Sequence, residues 1–215
     1  MRKQRTNFVC LFFLVSFLFT NACQYKISNE TEASAICVWH KGSVRSAPSR
    51  GAKWLSSLSL GEQVFFNGET AIDSTDRNRL YYYVALADGT RGWASEFVLL
   101  PNAVPGVLLK ECMLYRRPDS ASATLASINR LDFVAVHEEQ GKWMFVVTPR
   151  MAKEGWVPKD LVSQEEAEVS VGLAYQLAMK QRDTTTQLML LKRLKAQQPA
   201  GATFRRDLIS KIDSY

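Results

Sequence analysis

The chain has 215 residues, of which 47% are hydrophobic, 22% charged and 11 are glycine, the balance of an ordinary globular protein with room for one or two domains. Its formal charge of +6 does not make a nucleic-acid footprint, because the basic residues are scattered among acids rather than gathered in a stripe. The first 22 residues hold three of those basic residues (Arg2, Lys3, Arg5) and no acid, so about +3 is left for the rest of the chain.

Residues 1–22 read as an export signal: a basic start, an apolar run from Phe8 to Phe19, then small or polar residues up to Ala22. The run is short for a membrane span, and an uncleaved anchor is the alternative. The stretch Thr20-Asn21-Ala22-Cys23 resembles a bacterial lipoprotein signal, with Thr20 where Leu is usual. That resemblance implies a lipid on Cys23, an anchor in a membrane, and domains facing the periplasm or the cell surface. Thr20-x-Ala22 equally suits a conventional peptidase cutting after Ala22, which would release the chain.

Residues 23–34 are polar and without periodicity, as a tether is. From Ala35 to Leu100 short apolar runs alternate with turn signals. ICVW, LSSLSLGEQVFF, LYYYVALADGTRGWA and EFVLL predict strands, with Asp88-Gly89 as a hairpin turn. PNAVPG at 101–106, with two prolines and a glycine, predicts a linker.

From Val107 to Ser163 the pattern begins again. RSAPS (45–49) aligns with RRPDS (116–120), and WLSSLSLGEQVFF (54–66) with TLASINRLDFVAV (124–136). YYYV (81–84) then aligns with WMFV (143–146), and GWASEFV with GWVPKDLV. Four matches in one order point to a duplicated unit.

Residues 164–215 change period. Ala167, Val171, Ala174 and Ala178, with Leu173 and Leu177 beside them, predict one helix. Asp183 or a following Thr caps a second, TTTQLMLLKRLKAQQ, which Pro199 stops; FRRDLISKI adds a short third. Leu188, Leu191, Leu194 and Met189 form an apolar ridge that either docks on the strands or recruits another chain.

Cys37 and Cys112 either pair, as an oxidising compartment allows, or sit as two small buried side chains. His40 and His137 lie far apart and make no metal-ligand spacing, so neither a metal nor any other cofactor is expected.

Taken together, SVRSAPS, LGEQV, YYYV, ADGTRGWA and EFVLL, and then RRPDS, INRLDFV, KWMFV and EGWVPKDLV, resemble the bacterial SH3-like domain, twice. Ala94 departs from the usual Val, and the second copy has TPRMAKE in place of an Asp-Gly turn. The resemblance implies a mainly β fold of two small barrels (35–100 and 107–163) followed by the helical segment. Trp93 and Trp156 would close the barrels, with Gly92 and Gly155 before them admitting a neighbouring backbone.

Strand alternation sends Tyr82, Val84 and Val146 inward, and Tyr81, Tyr83, Trp143 and Phe145 outward. Those four rings either pack against other parts of the chain or line a peptide groove. The expectation is a non-catalytic, envelope-anchored binding or scaffolding protein contacting peptidoglycan peptides or an envelope protein. The alternative is an interaction protein whose helices recruit a partner. SH3-like domains often accompany wall-cutting cysteine peptidases or amidases; with no Cys and no His after Ser163, the sequence reads as that of a chain that is not an enzyme.

Overall fold

The computed structural model describes residues 33–215; the export signal, Cys23 and the tether up to residue 32 lie outside the described residues. The first sheet is built from β1 (Ala33–Cys37), β2 (Gly42–Arg45), β3 (Trp54–Leu58), β4 (Gln63–Asp73), β5 (Arg79–Ala85), β6 (Arg91–Ser95) and β7 (Leu99–Pro101). The second comprises β8 (Val104–Leu108), β9 (Cys112–Tyr115), β10 (Ala123–Ile128), β11 (Phe133–Gln140), β12 (Trp143–Val147), β13 (Glu154–Pro158) and β14 (Val162–Ser163).

Both sheets are antiparallel. The first runs β3-β2-β6-β5-β4-β1-β7 and the second β10-β9-β13-β12-β11-β8-β14, the same order with every strand advanced by seven. The repeated phrases of the sequence are therefore a repeated topology. Each sheet is open, with β3 and β7, or β10 and β14, as its edges, so the closed barrels that the resemblance implied are not what is seen.

Each sheet nonetheless coils around its own core. Every strand of the first sends a residue into one apolar cluster that includes Cys37, Val44, Leu58, Val64, Val84, Ala94 and Leu99. Leu108, Leu114, Ile128, Val134, Met144, Val157 and Val162 do the same for the second. A flat sheet could not bring its edge strands to one cluster; coiling substitutes for the second layer that a unit of this size lacks.

Residues 101–106 are not the linker their prolines suggested. Pro101 ends β7, Asn102 takes a left-handed turn (φ 55°), Ala103 is fully buried, and β8 has begun by Val104. Pro105 pairs with Ala135 of β11 on one side, beyond the reach of β14, which meets only Val107 and Leu108 on the other. A strand open on one side accommodates the missing N–H donor.

The Asp88-Gly89 turn forms as its residues dictate. Gly89 has φ +85°, Leu86 N–H donates to the Thr90 carbonyl at 2.8 Å, and Thr90 N–H donates to the Asp88 carboxylate at 2.8 Å. The second copy closes the equivalent hairpin with Thr148, whose hydroxyl accepts from Lys153 N–H at 2.9 Å, over a 3-10 turn at Pro149–Met151.

Three helices follow: α1 (Glu166–Met179), α2 (Thr184–Gln197) and α3 (Arg205–Asp213). Asp183 caps α2, accepting from Thr186 N–H at 2.7 Å and from its hydroxyl at 2.6 Å, which holds the Asp183 carboxyl below its ordinary value. The face that α1 buries differs from the expected stripe. Val169, Val171, Gly172 and Ala178 go inward, while Ala167 is exposed and Leu177 is 53% exposed. Gly172 sets that choice: a Cβ there would stand 2.6 Å from Val107 Cγ2 and 3.2 Å from the Leu131 carbonyl, so the helix lies directly on β8 along its one bare position.

The helices complete a third cluster. Ile36, Val38 and Leu60 from the first sheet meet Val107, Phe133 and Ala135 from the second and Val171, Leu191, Leu194, Phe204 and Leu208 from the helices. The ridge of α2 is thus directed inward at Leu191 and Leu194, while Leu188 is half-buried and Met189, 61% exposed, faces out. Arg130 clips α3 in place: its Nε donates to Asp207 Oδ1 at 2.7 Å and its guanidinium lies 5.0 Å above the Phe204 ring. Among the described residues no helix is long and apolar enough to cross a membrane.

Replacing Gly172 by Ala tests the helix contact through the sign of its effect. In an exposed helix interior Ala stabilises relative to Gly by about 1 kcal/mol. Here the clash with Val107 should reverse that and cost about 1–3 kcal/mol, read as a lower midpoint in urea. A higher midpoint would show that α1 is not pressed on β8.

Candidate functional site

The repeated Gly-Trp steps occupy equivalent places. Trp93 pairs with Tyr83 on one side and Arg45 on the other; Trp156 pairs with Phe145 and Tyr115. Rings touch in both copies, Tyr83 to Trp93 at 5.1 Å and Phe145 to Trp156 at 5.5 Å between centroids. A Cβ on Gly92 would stand 2.6 Å from the Arg45 carbonyl, and one on Gly155 (φ +155°) 3.0 Å from the Tyr115 carbonyl. Each glycine therefore lets β6 or β13 cross close to β2 or β9, which sets the indole against the neighbouring strand.

Register identifies a continuous outer face on the first sheet. Phe65 lies opposite Ala85, two residues from Tyr83; Tyr83 lies opposite Trp93, Trp93 opposite Arg45, and Arg45 opposite Trp54. Paired residues share a side, so Phe65, Tyr83, Trp93 and Trp54 form an aromatic stripe across five strands, interrupted by one guanidinium. Phe65 is 54% and Trp54 57% exposed, and Tyr83 and Trp93 are partly buried between them. A hollow of about 210 Å³ opens on this face beside Phe65, Tyr83 and Arg91.

The second copy does not repeat the stripe. Its counterpart of Phe65 is Ala135, buried in the core shared with the helices, and the residue in the place of Trp54 by strand register is Ala123, one before the Thr124 that the sequence alignment gives. Trp156 is 8% exposed, and Tyr115 packs edge-on against Trp143 at 4.9 Å. Trp143 and Phe145, both partly buried, are held in these ring pairs.

Of the four rings expected to face outward as groove residues, Tyr81 must be withdrawn. It points to the same side as Tyr83 but is only 3% exposed, so no ligand reaches it. The sequence reading missed Phe65 and Trp54. Phe65 was legible, since it alternates with the buried Val64. Trp54 was not, because a register shift between Val44 and Arg45 turns β3 so that Trp54 joins the outer face.

Cys37 and Cys112 do not pair. Both are free thiols: Cys37 lies in the core of the first sheet and Cys112 against that of the second. Burial pushes each thiol up to about 11, with Glu62 and Glu111 adding to the effect. His40 and His137 lie on different sheets' turns and strands, His40 partly buried after β1 and His137 exposed on β11.

A scan against protein-family models finds no match, and a search of the curated proteins finds none. Solved structures do align with the chain. NlpC2 from Trichomonas vaginalis aligns at 12% identity and a TM-score of 0.28, covering 69% of this chain and 55% of its own. NlpC1 from the same organism aligns at 13% and 0.27, covering 71% and 54%. An NlpC/P60 family protein from Bacillus cereus ATCC 10987 aligns at 14% and 0.25, covering 60% and 55%. The chain thus spans about half the length of these solved chains. The expectation of a chain that is not an enzyme is withdrawn, because the solved chains that align with it carry the NlpC and NlpC/P60 names. At such TM-scores the likeness assigns no activity to this chain.

The exposed indole at the first sheet's edge, Trp54, and the buried indole of the second sheet, Trp156, should separate in stability. Trp156→Ala should cost about 3–5 kcal/mol, as for a buried ring, and Trp54→Ala no more than about 1 kcal/mol. Urea titrations of both variants check this. The thiols should stay protonated and react slowly with iodoacetamide at pH 8. Stability should fall as pH rises from about 9 towards 11, because the unfolded chain releases those two protons first.

Proposed function

We propose that this chain is an envelope-tethered binding or scaffolding protein. In this reading residues 35–100 and 107–163 act as two SH3-like units, the helical segment 164–215 braces them, and the aromatic outer face of the first is the contact surface. The observation that carries the proposal is the open stripe of Phe65, Tyr83, Trp93 and Trp54, crossed by Arg45 and flanked by Arg91. Phe65 and Trp54, each more than half exposed, add little to the chain's own packing, and rings open on a sheet face suit an extended peptide, whose backbone lies flat on aromatic surfaces. A peptide of the cell wall, or one on an envelope protein, is the partner class.

The place of action follows from the N-terminal residues. Export by the signal at 1–22 and lipidation of Cys23 would hold the two units at a membrane, facing the periplasm or the cell surface.

Two experiments test this reading. The full-length chain should sediment with purified insoluble peptidoglycan or with envelope extract. A Trp54→Ala, Phe65→Ala double variant should lose that retention at least tenfold, about 1.4 kcal/mol, with its melting temperature unchanged. Equal retention of the variant would move the contact surface elsewhere. Labelling cells with tritiated palmitate should mark the wild-type chain and not Cys23→Ala; label on both would refute the anchor.

A further inference from the structure

A second site lies on a different surface and does not depend on the aromatic face. A cleft of about 550 Å³ opens between α1 and two tight turns of the first sheet. Leu60, Leu173 and Leu177 form its apolar wall, and His40, Lys41 and Lys180 stand along its rim. Arg150 shares an adjoining hollow with His40 and Lys180.

This is a gathering of like charge from three elements distant in sequence: a turn after β1, the 3-10 turn before β13, and the end of α1. Among the described residues none of Lys41, Arg150 and Lys180 takes part in an ion pair. Lys41 and Arg150 are held with φ of 60° and 63°, a left-handed conformation that non-glycine residues seldom adopt. Arg150 is fixed there by its N–H, which donates to the Val38 carbonyl at 2.7 Å, and by its guanidinium, 5.3 Å above the Trp39 ring. The crowding is felt by the groups themselves. Burial, then Lys180 and Arg150, pull the His40 imidazole below its ordinary value; burial, then Arg150 and Lys41, lower Lys180. Three features oppose the positive field. Asp132 lines the Arg150 hollow, Lys180 stands at the negative C-terminal end of α1, and Glu62, whose carboxylate accepts from the N–H of Ser59 in the cleft wall at 2.7 Å, lies beside it. The larger cleft itself has no acid in its lining.

An apolar wall beneath unpaired cations fits a molecule with an apolar body and one anionic end. Two groups on the rim select among such molecules: the Ser59 hydroxyl and the Gln181 amide, whose Nε2 already donates to the Leu177 carbonyl and leaves its oxygen to accept. They can meet amide groups, which a hydrocarbon acid does not have. We propose that this cleft binds the free carboxyl end of an apolar peptide, the carboxylate at Lys41 and Lys180 and the terminal side chains on Leu60, Leu173 and Leu177. Charge-assisted contacts would fix the chain end and the leucines its side-chain class.

Calorimetric titration of the full-length chain tests this with four probes: an acetylated Ala-Leu-Leu peptide as the free acid, the same peptide as its amide, octanoate, and inorganic phosphate. The acid should bind saturably and the amide at least tenfold more weakly, a difference of about 1.4 kcal/mol. Lys180→Met, which keeps the apolar stem, and Lys41→Glu should each weaken the acid at least fivefold with unchanged melting temperatures. The Trp54→Ala, Phe65→Ala variant should bind it as wild type does. Equal affinity for acid and amide, octanoate binding as tight as the peptide, displacement by equimolar phosphate, or wild-type binding by both lysine variants would each overturn the proposal.

Discussion

Among the described residues β1, β8 and β11 send both of their faces into apolar cores, and the rest of the architecture depends on that. Ala35, Ile36 and Cys37 of β1, and Val38 just after it, are all fully buried; in β11 Phe133, Val134, Ala135 and Val136 are nearly so; in β8 Val107 and Leu108 are too. Alternate residues of each run enter the core of their own sheet, and the others enter the core shared with the helices. A strand with two apolar faces cannot stand at a surface. The two sheets therefore need a common cover, and α1, α2 and α3 supply it. Gly172 makes the cover tight, since only the absence of a Cβ lets α1 lie against Val107.

The shared core also breaks the symmetry of the duplication. Both copies keep the same strand order and the same close crossing at Gly92 or Gly155, because those serve the interior of each sheet. On the outer face they part. The second sheet uses its face for packing, with Ala135 where the first has Phe65, whereas the first keeps Phe65 and Trp54 in the open. One copy has become a foundation and the other a presenting surface. The cationic cleft has the same origin: His40 and Lys41, Arg150, and Lys180 come from both sheets and a helix, and meet only because the shared core brings those elements together.

Much of this was readable from residues alone where one local rule decides. The Asp88-Gly89 turn, the Asp183 cap and the second helix each rest on side chains within a few positions of one another. The repeat was readable because it is a statement about order. What misled was inference about faces. Alternation placed Tyr81 outward correctly, but outward was not solvent, and the ring is buried. Trp54 escaped notice because a bulge reverses alternation without a mark in composition. The prolines of 101–106 looked like a linker because a strand that lacks a partner on one side tolerates what a central strand would not.

By itself, then, the amino-acid sequence determined the class of the elements, their duplication, the Asp88-Gly89 turn, the Asp183 cap and the inward course of Tyr82, Val84 and Val146, since those follow from spacing and from intrinsic backbone preference. Only the tertiary structure decided which outward residues remain outward, whether the cysteines meet, and which cations face one another. These are questions about neighbours far apart along the chain, and side-chain period carries no information about what a face is packed against.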